Sequence, residues 1–247
     1  MRTLFLLIFI LFITAFVVTT DFLSEQKKYE RVKTAYRDKE DVVTKKLKEQ
    51  NLDINNFHIL ITVFKSEQEL VIYAKNKNEQ KYKKLISYPI CASSGEPGPK
   101  RMIGDGQVPE GFYYIEKYNP SSSYYLSLGV SYPNKSDKLK STAKNLGGDI
   151  FIHGECVTIG CMPMTNDKIK EIYIYAIQAK HNGQQKIPVY IFPFKFTESN
   201  IAKYKEYYKN NKIVLDFWDN LKTGYDLFQV TLQELNLSVD KAGNYSY

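Results

Sequence analysis

From residue 57 onward the chain breaks into short runs rich in β-branched and aromatic residues, and this pattern constrains the fold more than any other feature. The runs cover residues 57–64, 69–74, 81–90, 111–118, 124–128 and 149–152, separated by clusters of Gly, Pro, Asn and Ser. Such runs suit a pleated, half-buried surface, and the clusters between them supply turns, so they read as strands. Between residues 93 and 111 lies a long loop with five glycines, and long loops in compact domains are often functional. Thr165 then stands where a helix N-cap belongs, Asp167 suits the first turn, and Ile169, Ile172, Tyr173, Ala176 and Ile177 fall on one helical face. A further strand is expected over 187–194, with Pro188 at its start and Pro193 near its end, and residues 199–237 read as mainly helical.

The ends of the chain differ from this middle. Residues 4–18 are almost wholly apolar and follow Arg2, which matches the core of a secretory signal or a short signal anchor. An independent spanning helix needs about 17–25 residues. Val18-Thr19-Thr20 is a poor substitute for a small-residue cleavage site, so an anchor and a cleaved signal both stay open. Either implies export, with the remainder at the outer face of the inner membrane or in the periplasm and membrane contact only through this segment. Residues 21–53 are charged and free of Gly and Pro, and Val32, Tyr36, Val43 and Leu47 recur at helical spacing. One long helix or two shorter ones are expected there, largely solvated, with a modest packing face. The expected organisation is a signal or anchor at 1–20, a helical segment at 21–53, a catalytic domain at 54–195 and a helical extension at 196–247.

At 247 residues and 43% hydrophobic, the chain can bury a sizeable core. Its net charge of +7 suits anionic partners. The lysines are spread out, and no Arg-rich arm, zinc-finger spacing or RNP-like motif is present, which disfavours nucleic acid. The three cysteines, Cys91, Cys156 and Cys161, are too few for a disulfide framework, and their odd number suggests a free reactive thiol.

Chemistry concentrates between residues 148 and 162. His153 and Cys161 lie eight residues apart, each beside a glycine, after a short apolar run. A strand delivers an imidazole in this way, and a tight turn then presents a thiol. Cysteine reacts as the thiolate, and a neighbouring imidazole can lower its pKa or take its proton. Gly160 lets the backbone turn sharply ahead of Cys161. The backbone N–H groups of Gly160 and Cys161 are candidate oxyanion donors, each such donor being typically worth about 10²–10³ in rate. Asp149 and Glu155 are carboxylates close by in sequence.

His153-Gly154 followed by Thr158-x-Gly160-Cys161, with Met164 three residues on, resembles the signature of YkuD-type L,D-transpeptidases. The likeness extends through Gly98-Pro99-Lys100, Gly104 to Tyr113, Asn119 to Ser122, Tyr132-Pro133-Asn134, Ile191 to Phe194 and Phe217 to Lys222, and is similar in particular to the murein-transpeptidase branch. It covers about residues 32–229. The resemblance implies an α+β, β-rich catalytic domain with flanking N- and C-terminal helices, acting on peptidoglycan stem peptides without metal or organic cofactor. Cys161 would be the nucleophile, forming a thioester at the L-centre of diaminopimelate. His153 would be the general base and proton shuttle, oriented by a backbone carbonyl. An amine of another stem, a wall-linked protein or water would complete the reaction, so hydrolysis at the same site is the alternative to transfer. A wall-binding module without catalysis is a further alternative.

Many members of the family carry Arg between the Cys and the Met, where this chain has Met162 and Pro163. Lys100 or Arg101 could supply that charge, or be solvated surface cations. Lys100, Tyr132, Asn134 and Thr158 are the candidate substrate-binding residues, although Asn134 could equally serve turn geometry. Cys156 ranks second to Cys161 as nucleophile because no glycine precedes it. A Cys156–Cys161 disulfide is a minority expectation. So is a zinc site using His153, Cys156, Cys161 and Cys91, whose spacing matches no finger. Gly104-Asp105-Gly106 lacks the Lys-Ser/Thr of a phosphate loop and reads as a turn. His58 and His181 lack comparable context and read as structural or exposed.

Overall fold

Strand β1 (Phe57–Phe64) alternates its burial between two cores, which makes it the spine of the fold. Ile59, Ile61 and Val63 face one hydrophobic cluster, and Leu60 and Phe64 face the other. A strand apolar on both faces must be covered on both. The computed structural model describes residues 21–247, so the signal or anchor expected at 1–20 lies outside the described residues. β2 (Glu69–Asn76), β3 (Lys83–Pro89), β4 (Gly111–Ser122), β5 (Tyr125–Val130), β6 (Phe151–His153), β7 (Met162–Pro163) and β8 (Pro188–Phe192) complete an eight-stranded mixed sheet ordered β3-β2-β1-β8-β4-β5-β6-β7. The chain is α+β, as expected.

The helices lie on both faces. On the first, α1 (Phe22–Lys27) and α2 (Glu30–Glu49) pack on α4 (Asn166–His181). Thr165 caps α4 by accepting from the Lys168 N–H. Every residue of α4 from Ile172 to Ala179 is buried, because the helix lies between the sheet and α2. The segment 21–53 is therefore more than a solvated helix: Val32, Ala35, Val43 and Leu47 are fully buried. On the second face, α6 (Lys212–Thr231) brings Phe217, Trp218, Leu221 and Phe228 against Phe112, Tyr190 and Phe192, and α5 (Glu198–Tyr207) adds the partly buried Ile201 and Tyr204. Two short elements lack the length for a periodic signal: α3 (Lys135–Lys140), and a closing hairpin of β9 (Ser238–Val239) and β10 (Tyr245–Ser246).

Candidate active site

The site is built at the β5-β6-β7 end of the sheet. His153 closes β6 and pairs with Ser127 on β5, while β6 runs parallel to β7 with Ile152 opposite Met162 and His153 opposite Pro163. Cys161 immediately precedes β7, so this register sets it beside Phe151, two residues before His153. Side chains two apart on a strand share a face. Phe151 N–H donates to Cys161 Sγ at 3.4 Å, and the thiol donates to the Asp149 carbonyl at 3.6 Å. Eight residues of sequence are thus folded into adjacent strand positions.

His153 is almost wholly buried. Its Nδ1 lies 2.5 Å from the Gly154 carbonyl, which can only accept, so Nδ1 carries the proton and the Nε2 lone pair is free. The Tyr124 ring packs on the imidazole, with centroids 4.7 Å apart. Neither nearby carboxylate orients it: Asp149 is exposed and reaches toward Lys117, and Glu155 is exposed. Gly154 is required sterically, since a Cβ there would run into Asn166 Oδ1 and the Tyr124 carbonyl. That Asn166 oxygen also accepts from Glu155 N–H, tying the loop after His153 to the start of α4.

The turn before the thiol is organised by one hydroxyl. Thr158 Oγ1 accepts from Gly160 N–H at 3.1 Å and Cys161 N–H at 2.8 Å, and donates to the Cys161 carbonyl at 2.8 Å. The two expected oxyanion donors therefore point at Thr158, whose role is to brace the turn. Gly160 has φ +135°, a region open to glycine, and a Cβ there would approach the Gln107 carbonyl at 3.0 Å.

Burial sets the protonation of the pair. It pushes the Cys161 thiol up, with hydrogen bonding from Phe151 N–H opposing, and pushes the His153 imidazole down, with the Gly154 bond opposing. Low-dielectric surroundings disfavour both charged forms. Both shifts favour the uncharged form of each group. Among the described residues no hydrogen bond joins the two. Such bonds often tighten only once substrate is bound.

A cleft of about 240 Å³ opens beside Cys161, lined by Lys65, Ser66, Gln68, Ser93 and Ser94 among others. Sequence reasoning missed these residues, because they come from the β1–β2 turn and the start of the 92–110 loop. Three of the substrate-binding candidates have internal partners. Lys100 is buried and donates to Asp105 and the Met102 carbonyl. Tyr132 is buried, its hydroxyl donating to the Leu146 carbonyl at 3.2 Å. Asn134 caps α3 and donates to the Phe112 carbonyl and the Tyr245 hydroxyl. Each meets an internal partner and none lines the cleft.

The cysteines are also paired differently from expectation. Cys91, just past β3, forms a disulfide with Cys156, and Cys161 is free. The sheet brings the Cα atoms of Cys91 and Cys156 within 5.4 Å across 65 residues of sequence. A Cys156–Cys161 bridge is thereby overturned. The disulfide also removes Cys156 as a rival nucleophile and takes two thiols from the zinc alternative.

Residues 58–191 match the YkuD family, the L,D-transpeptidase catalytic domain. The chain is 39% identical over 194 residues to YafK, a candidate L,D-transpeptidase of Escherichia coli strain K12, covering 78% of this chain and 75% of that protein. The same values hold for YafK of Escherichia coli O157:H7. Among solved structures, the helical cell shape determining protein Pgp2 of Campylobacter jejuni is similar at TM-score 0.45 and 18% identity, over 74% of this chain and 73% of that one.

Proposed function

Because the chain belongs to the YkuD family of L,D-transpeptidase catalytic domains, we propose that it is an exported cysteine acyltransferase acting on peptidoglycan stem peptides, with Cys161 as nucleophile and His153 as general base. One observation carries this reading. The free thiol lies beside the strand that ends in His153, whose Nδ1 is held by a carbonyl so that Nε2 can accept a proton. The Cys91–Cys156 disulfide supports export, since structural disulfides persist outside the reducing cytosol.

The chemistry follows from the protonation states. As substrate fills the cleft, the Cys161 proton passes to His153 Nε2 and the sulfur attacks the carbonyl carbon at the L-centre of diaminopimelate. The oxyanion takes the Gly160 and Cys161 N–H groups in place of the Thr158 hydroxyl. Collapse breaks the C–N bond, and the departing D-amino acid takes the proton from His153, leaving a thioester. An acceptor amine gives its proton to His153, attacks the thioester and restores the Cys161 thiol. Water in the acceptor's place gives hydrolysis.

Intact-mass spectrometry with a disaccharide-tetrapeptide tests the reading. The wild type is expected to gain a thioester adduct and release the terminal D-amino acid, and Cys161→Ala to do neither. Turnover by folded Cys161→Ala would overturn the nucleophile assignment. Cross-linked against trimmed products separates transfer from hydrolysis.

A further inference from the structure

A second groove, about 500 Å³, lies on the far side of the 92–110 loop from the cysteine cleft. Glu96 and Pro97 line both, so a ligand crossing that ridge would occupy the two together. The loop is also the one whose Gln107 carbonyl abuts Gly160.

The groove holds two cations over one aromatic ring. The Arg101 guanidinium lies 4.9 Å and the Lys140 ammonium 5.9 Å from the centroid of Phe217. Arg101 is held by one end: Nη1 donates to Asp137 Oδ1 at 3.0 Å and to the Lys100 carbonyl at 3.3 Å. Among the described residues its Nη2 and Nε donate to none, which leaves one edge of the fork open. Asp137 is buried and also accepts from the Tyr113 hydroxyl and Asn134 N–H, so it fixes the guanidinium without closing that edge. Lys140 donates to Asn244 Oδ1 at 2.7 Å, a neutral partner. Burial pulls the Lys140 ammonium down and the positive charge of Arg101 pulls it further, while the Asp240 and Asp216 carboxylates oppose them. Among the described residues, Glu96 is the carboxylate on the lining, and it stands on the shared ridge.

A pre-oriented guanidinium with a free edge beside a second cation is suited to a planar carboxylate, which takes two parallel N–H donors. We propose that the Arg101–Lys140 groove is a specificity subsite for a free carboxylate of the stem peptide whose reacting carbonyl occupies the Cys161 cleft. The inference rests on the function proposed above. The residues proposed touch the peptide end and not the reacting atoms.

Binding is measured on the full chain carrying Cys161→Ala, so that no turnover intervenes. A diaminopimelate-containing disaccharide-tetrapeptide and the same compound with its carboxylates amidated are titrated calorimetrically. Arg101→Gln and Lys140→Gln are each expected to raise Kd for the acidic peptide about tenfold or more. The amidated peptide should bind the parent with that weaker Kd and be insensitive to both substitutions. Lys140→Gln touches no buried carboxylate, and it decides the matter if Arg101→Gln fails to fold. Equal binding of both peptides, or an unchanged Kd in Lys140→Gln, would overturn the subsite and leave the proposed function standing. No binding of either peptide by the parent would overturn both.

Discussion

At the residue scale the proposed mechanism starts from an uncharged thiol and an uncharged imidazole. Burial acts on Cys161 and His153 in opposite directions, and each shift favours the neutral form. A thiol pushed up is a poor nucleophile until its proton has an acceptor, which protects it from adventitious oxidation and alkylation. The sign fixes an observable. A raised thiol pKa means less thiolate at any given pH, so the rate of iodoacetamide reaction with Cys161 should climb at higher pH than for a free cysteine. Rapid, pH-independent alkylation below neutrality would show a stored thiolate–imidazolium pair and overturn this account. Thr158 belongs to the same scale: three hydrogen bonds on one hydroxyl hold the turn in which Gly160 takes its positive φ.

At the element scale the 92–110 loop is pinned to two distant elements by one carboxylate. Glu110 is fully buried at the end of the loop. Its Oε1 accepts from Lys65 Nζ at 2.9 Å and Gly98 N–H at 2.6 Å, and its Oε2 accepts from Trp218 Nε1 at 2.8 Å. Lys65 Nζ also donates to the carbonyls of Gly98 and Val108. Helix α6 is thus joined through Trp218 to the loop that shapes both the cleft and the backbone behind Gly160. Burial opposes the Lys65 charge and the Glu110 carboxylate sustains it. Removing one partner of a buried pair leaves an uncompensated charge. Glu110→Gln is therefore expected to destabilise by about 3–5 kcal/mol, measurable by urea unfolding. An amide also places a donor against one of the three groups that now donate to this carboxylate. A loss below about 1 kcal/mol would mean that the loop is held by its other contacts.

At the scale of the whole molecule one covalent link closes the site. The Cys91–Cys156 bridge joins the end of β3 to the loop between His153 and Cys161. Chain entropy makes such a link typically worth about 2–5 kcal/mol. Cys91→Ala/Cys156→Ala is expected to lose stability in that range in chemical denaturation while still forming the Cys161 adduct. Abolished adduct formation in the folded double variant would assign the bridge a part in catalysis. Thiol titration of the oxidised, denatured protein should find one thiol, and three after reduction.

Local pattern carried the strands from residue 57, the Thr165-capped helix and the His-Gly and Thr-x-Gly-Cys motifs, because side-chain shape, turn propensity and the Gly-flanked motifs act within a few residues of each other. It could not carry the rest. The internal partners of Lys100, Tyr132 and Asn134 were not legible, since nothing local tells a surface polar group from one that meets Asp105, Leu146 or Phe112 in the folded chain. Cys91 and Cys156 lie 65 residues apart, and only the order of strands in the sheet brings them into bonding range. The burial of α2 was under-read for the same reason, as its apolar face has meaning only against α4. The identity of the candidate site's thiol and imidazole was therefore written in the sequence, while their burial, their braces and the cleft before them were decided by long-range contact, which exists only once the chain has folded.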